Sequence, residues 1–140
     1  ALRNDRSLLP NAIEEALRFD GPVISQARWV ACDTELMGVP LKGNSIAHVL
    51  AGSGNHDPAM FDDPDSFDIR RPNAKRHLSF SVGPHICIGQ HLARVEITRA
   101  VNAILDRLPN LRADPDAPPP QLRGAMMRVP HALPVVFDPV

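Results

Sequence analysis

Ten consecutive residues, Phe80-Ser81-Val82-Gly83-Pro84-His85-Ile86-Cys87-Ile88-Gly89, carry the side chains best suited to chemistry. Cys87 is predicted to lie where an irregular loop meets the N-terminus of a helix over 88–108. Unpaired backbone N–H groups and the helix dipole at such a point favour a negative sulfur, so a thiolate is expected. Gly83 permits a left-handed or tight backbone, Gly89 lets another surface approach closely, and Phe80 offers an aromatic wall. A thiolate in this setting can be a nucleophile, a redox switch or a metal ligand. The bland alternative is a buried, inert cysteine, the commonest fate of a free thiol.

The elements that must position this loop are partly legible. Ser7 is expected to cap a helix running from Leu8 to about Phe19, with Pro10 in its first turn. Leu9, Ile13, Ala16 and Leu17 recur at helical spacing and make its inner face. Gly21-Pro22 ends it, and Val23 to Val30 reads as extended. Gly38-Val39-Pro40 and Lys42-Gly43-Asn44 read as turns between short strands. Asn55 to Phe80 is expected to be loop, with at most a short helix near Pro58 to Phe61. A loop this long inside a compact domain hints at function. In the helix after Cys87, Ile97, Ala100, Val101, Ile104, Leu105 and Leu108 form one stripe, stopped by Pro109. Leu133 to Phe137 reads as a terminal strand.

At 140 residues, 44% hydrophobic and 22% charged, the chain suits one domain or part of one. Its net charge of −1 argues against a whole-surface nucleic-acid or membrane binder. No apolar run approaches a membrane span. Arg70, Arg71, Lys75, Arg76, Arg94 and Arg99 nonetheless give the region around Cys87 a basic cast, opposed there by Glu96. The two cysteines, Cys32 and Cys87, form no CxxC or zinc-finger spacing. A cytoplasmic chain with two thiols is expected.

The pattern F-x-x-G-x-H-x-C-x-G over Phe80 to Gly89 resembles the haem-binding loop of the cytochrome P-450 family. The resemblance implies that Cys87 is the thiolate ligand of the iron of haem b and the only protein metal ligand. It also makes His85 and Arg28 partners of haem propionates, and places Phe80 and Gly89 beside the ligand. Most members have glycine where Ser81 stands, and Pro84 is less usual. Glu15-Ala16-Leu17-Arg18 matches the family's E-x-x-R, which implies a buried structural network completed by Arg71. His77 is expected to be structural. Val23, Ile24, Met126 and Met127 match positions facing the substrate pocket.

Cys87 to Arg94 and the ending Ala132 to Pro139 look most like soluble bacterial terpene hydroxylases of the camphor monooxygenase group. The implied fold is mainly α with small β-sheets (α+β). Residues 1–140 would form a single partial domain, the C-terminal haem-ligand part, lacking the N-terminal and distal helices. The implied activity is insertion of oxygen from O2 into a small hydrophobic substrate, a terpenoid among the candidates. Electrons would come from a ferredoxin or reductase docked on the cysteine-loop face, with Lys75, Arg76 and Arg94 as its contacts. No side chain here is assigned a catalytic role, and the segment alone is not expected to be competent. Two other readings stand beside this one. The first is a truncated, non-catalytic haem-binding or interaction module. The second is a thiol enzyme using Cys87 with His85 or His91 as base, which leaves Glu15, Arg18, Arg28 and Arg71 without a purpose.

Overall fold

The computed structural model describes residues 1–139. Helix α1 spans Leu9–Asp20 and carries Pro10 in its first turn. Its N-terminal cap is not Ser7. A 3-10 turn at Arg6–Leu8 comes first, and the Asp5 carboxylate accepts from the Ser7 N–H at 3.0 Å and from its hydroxyl at 2.6 Å. Asp5 thus caps the 3-10 turn, while Leu8, at the N-cap position of α1, makes no side-chain cap bond.

Leu9, Ile13 and Leu17 form a buried stripe on α1, joined by Ala12. Ala16, expected on this face, is exposed. The buried arc is shared instead with Glu14, Glu15 and Arg18, whose charges find partners on neighbouring segments. At the helix end Gly21 has φ −64° and ψ 145°. It is needed there for space, because an added Cβ would collide with Leu17 O and Ser79 Oγ.

Among the described residues four short antiparallel pairs form the sheets. β1 (Gln26–Val30) pairs with β4 (Ser45–Val49), Gln26 opposite Val49 and Val30 opposite Ser45. β2 (Thr34–Leu36) pairs with β3 (Val39–Leu41) through a turn at Met37 and Gly38, both at positive φ. Val39 and Pro40, expected in the turn, lie in β3; a two-strand ribbon is all edge and tolerates a proline. β5 (Arg112–Ala113) pairs with β8 (Val135–Val136), and β6 (Leu122–Arg123) with β7 (Val129–Pro130). The extended stretch before β1 is not wholly strand, but Val23 bridges Met127.

After the one-turn α2 (Ala51–Gly54), residues 55–80 are turns and bends, with a 3-10 turn at Ala74–Arg76 and no helix at Pro58 to Phe61. Helix α3 spans Gln90–Arg107, and Leu108 ends it before Pro109. It begins two residues later than expected, with Gly89 as its cap. Of its apolar stripe, Ile97 and Val101 pack on the α1 cluster, as do Leu2 and Phe80, but no residue of α3 is fully buried. Among the described residues no helix is long and apolar enough to cross a membrane.

Candidate functional site

The long loop is ordered from within. Glu15 and Arg18 are buried and paired, with Arg18 Nε to Oε2 at 2.8 Å and Nη2 to Oε1 at 2.9 Å. Arg71 Nε donates to both Glu15 oxygens at 3.1 Å. The remaining donors reach backbone carbonyls. Arg18 bonds Asn55 O at 2.8 Å and Pro64 O at 2.9 Å; Arg71 bonds Ser66 O at 2.9 Å, Asp63 O at 3.1 Å and Asp62 O. Two planar guanidinium forks thus do for 55–71 what a strand ladder does elsewhere. Burial pushes the Glu15 carboxyl up, but bonds from Arg18, the Asp68 N–H and Arg71 outweigh it and hold it below its ordinary 4.5. Asn55 continues the frame toward the cysteine loop. It donates to Ser79 Oγ at 2.9 Å and accepts from the Leu78 N–H at 2.7 Å.

From this frame the chain turns outward. The Ser81 N–H donates to Leu78 O at 2.8 Å, and Ser81 takes φ 63°. Gly83 follows at φ 80° and opens a 3-10 turn, Gly83–His85. The Cys87 N–H then returns to Phe80 O at 2.9 Å and closes the loop. Cys87 is exposed, as are His85 and Ile86, and Ile88 is wholly so. Cys87 is not in the helix; its carbonyl accepts from the Gln90 N–H at 3.2 Å as α3 begins. A Cβ added at Gly89 would meet only Cys87 Sγ, at 3.8 Å, so the glycine leaves space on the sulfur's side.

A hollow of about 230 Å³ joins this loop to the β1–β4 pair, lined by Ser81 and Val82 on one side and by Gln26, Arg28 and Val49 on the other. Arg28 is exposed. It donates to Gln26 Oε1 at 2.8 Å and to Ala27 O at 3.0 Å, and it has no carboxylate partner among the described residues. At the far end of the extended segment the Ile24 N–H donates to Met126 O at 3.0 Å. That bond and the Val23 bridge bring Val23, Ile24, Met126 and Met127 together; both methionines are at least half exposed.

The donor set fits a haem. Among the described residues no cluster of three His, Cys, Asp or Glu could hold a metal ion. Cys87 is a single exposed free thiol, the kind of donor that a haem iron takes from a haem-thiolate protein. The exposed thiol with open space at Gly89, Arg28 without a carboxylate partner among the described residues, and the exposed imidazole of His85 are groups that could hold an iron and two carboxylates.

A second charged set lies behind the loop, and sequence reading missed it. The buried Glu14 carboxylate receives Arg94 Nε at 2.6 Å and Nη2 at 2.9 Å, and His77 Nε2 at 3.1 Å. Arg94 is therefore not the free docking cation its charge suggested. Arg71 is buried and also lost to any basic face, whereas Lys75 and Arg76 are exposed. The spacings of 63 and 80 residues hid this set; the adjacent Glu14-Glu15 on one helix was the available signal.

Residues 1–134 match the family model described as Cytochrome P450, whose members bind haem b. A putative cytochrome P450 140 of Mycobacterium tuberculosis is 46% identical over 112 residues, covering 80% of this chain and 26% of the relative. A steroid C26-monooxygenase of Mycolicibacterium smegmatis is 40% identical over 139 residues, covering 99% of this chain and 34% of the relative. The fold matches the crystal structure of P450BioI bound to acyl carrier protein carrying hexadec-9Z-enoic acid, with a TM-score of 0.90 and 37% identity. That match covers 98% of this chain and 35% of the other. The chain thus spans about a quarter to a third of the length of these relatives. Family match, sequence identity and fold agree that the chain belongs to the cytochrome P450 family of monooxygenases.

Proposed function

We propose that this chain is the C-terminal, proximal part of a haem-thiolate monooxygenase, with Cys87 as the iron ligand. The observation that carries the reading is the exposed Cys87 thiol at the head of a loop closed by Phe80 and joined by a hollow to Arg28. Haem held by a thiolate supplies activated oxygen, because electron donation from sulfur favours O–O cleavage. The chain's own residues hold and orient it. With haem bound, Cys87 would hold the iron, Arg28 and His85 would donate to the propionates, Phe80 would pack beside the sulfur, and Gly89 would leave room on the sulfur's side. Guanidinium is suited to a carboxylate by its paired donors. A free thiol ligand fits a reducing, cytoplasmic setting.

Val23, Ile24, Met126 and Met127 line the substrate side. An apolar lining with few polar groups selects a hydrophobic compound. We assign it a compact terpenoid or steroid skeleton. The loop motif supports the first and the steroid named for the M. smegmatis relative supports the second. A ferredoxin or reductase docks on the cysteine-loop face, where Lys75 and Arg76 are free to raise the association rate.

The test is oxygenated product from terpenoid and steroid candidates, formed by the full-length protein with a ferredoxin, its reductase and reduced nicotinamide. The reading predicts product that disappears in Cys87→Ala. Product formation indifferent to that substitution contradicts it, and product from linear acyl chains alone contradicts the substrate assignment.

A further inference from the structure

Glu14, His77 and Arg94 lie behind the cysteine loop, and no role in ligation or substrate contact accounts for them. Three observations tie them to Cys87. The Arg94 guanidinium sits 4.6 Å from the centroid of the Phe80 ring. The His77 ring lies 5.7 Å from the same ring, tilted by 54°. The Phe80 carbonyl accepts from the Cys87 N–H at 2.9 Å. Phe80 is thus gripped by Arg94 and His77, and both are fixed by one buried carboxylate.

The hydrogen-bond pattern also sets the charges. The Ser79 N–H donates to His77 Nδ1 at 3.1 Å, so that nitrogen is an acceptor and the proton sits on Nε2, which donates to Glu14. His77 is then neutral. Glu14 and Arg94 cancel each other, and the set as a whole presents no net charge to the loop.

We propose that Glu14, His77 and Arg94 are a positioning set that holds Phe80 and keeps the surroundings of the Cys87 thiolate electrically neutral, and so sets the reduction potential of the iron. The proposal rests on the haem-thiolate reading above. Removing the Glu14 charge leaves Arg94 uncompensated against Phe80. A nearby cation favours the form of the iron–thiolate unit that has gained an electron, so the potential rises. A merely structural ion pair would lower stability and leave the potential where it was.

The experiment is a dithionite redox titration of the full-length, haem-loaded protein, followed in the Soret region. Each variant is also examined by its ferrous–carbon monoxide spectrum. Glu14→Gln keeps the size of the side chain and loses its charge. It is expected to shift the ferric/ferrous equilibrium toward ferrous by about tenfold, a change of about 59 mV for one electron. Arg94→Lys keeps the charge but loses the paired donors and the flat contact with Phe80. It is expected to leave the potential close to wild type, because the charge facing Phe80 is kept. If Glu14→Gln does not retain haem, Arg94→Gln decides: it leaves the Glu14 charge uncompensated and is expected to shift the equilibrium toward ferric by about tenfold. An unchanged potential in Glu14→Gln, or in its absence in Arg94→Gln, overturns the proposal. A wild-type spectrum that does not depend on Cys87 overturns the haem-thiolate reading first, and this proposal with it.

Discussion

Arg71 Nε lies 3.1 Å from both oxygens of Glu15, across 56 residues of sequence. This contact closes the long loop on α1. Glu15 is fully buried and is the only carboxylate that either Arg18 or Arg71 meets among the described residues. Breaking a buried ion pair by removing one partner leaves an uncompensated charge and costs about 3–5 kcal/mol. Glu15→Ala is therefore expected to destabilise the protein by at least that range, since two arginines lose their partner. Urea unfolding checks this. A change below about 1 kcal/mol would show that the network behaves like a surface pair.

Ser81 holds φ 63° inside the cysteine loop, in the left-handed region that favours glycine. Ser81→Gly is expected to stabilise the protein by about 0.5–1 kcal/mol, and a β-branched Ser81→Val to destabilise it. Denaturant midpoints of the two variants, moving in opposite directions, are the check.

Acid should weaken the fold in two stages. Burial holds His77 below its ordinary 6.5, with the Arg94 charge adding to that and Glu14 opposing it. Burial pushes Glu14 up, but bonds and charge from Arg94, with His77, leave it below 4.5, and Glu15 is likewise lowered. For His77 the unfolded chain takes up the proton first, so stability falls as pH drops below 6.5 toward the folded value. For the two glutamates the unfolded chain again binds protons first, so stability falls further as pH drops below 4.5. Unfolding midpoints measured against pH should therefore decline through both windows. In His77→Asn the upper decline should vanish and the lower one remain.

Gly124 has φ 107°, and an added Cβ would collide with Met127 O. Gly124→Ala is expected to displace the turn that carries Met126 and Met127 while leaving the cysteine loop alone. The check is a spectral titration of the haem-loaded full-length protein with an apolar ligand. Affinity should fall by about tenfold, equivalent to about 1.4 kcal/mol, with the thiolate spectrum intact.

The backbone of the cysteine loop could be read in part from the sequence, because Gly83 takes the positive φ expected of it and the loop leads into α3. The pairing of Glu15 with Arg18 was also legible, being local to one helix. Contacts between distant segments were not. Glu14 reads as an ordinary surface glutamate until α3 and the 55–80 loop bring Arg94 and His77 to it. The same gap turned Arg94 into a docking candidate and made Ala16 a core residue. Caps failed for a local reason: Asp5 and Ser7 are both good caps, and only the intervening 3-10 turn decides between them. The apolar stripe of α3 predicted more burial than α3 has, since only Ile97 and Val101 meet the α1 cluster.

The central claim is that Cys87 is the ligand of a haem iron. The most direct test is the ferrous–carbon monoxide difference spectrum of the haem-loaded, full-length protein beside its Cys87→Ala variant. The account predicts a thiolate-type Soret band in the wild type that is absent from the variant. A haem spectrum that is the same in both proteins would contradict it.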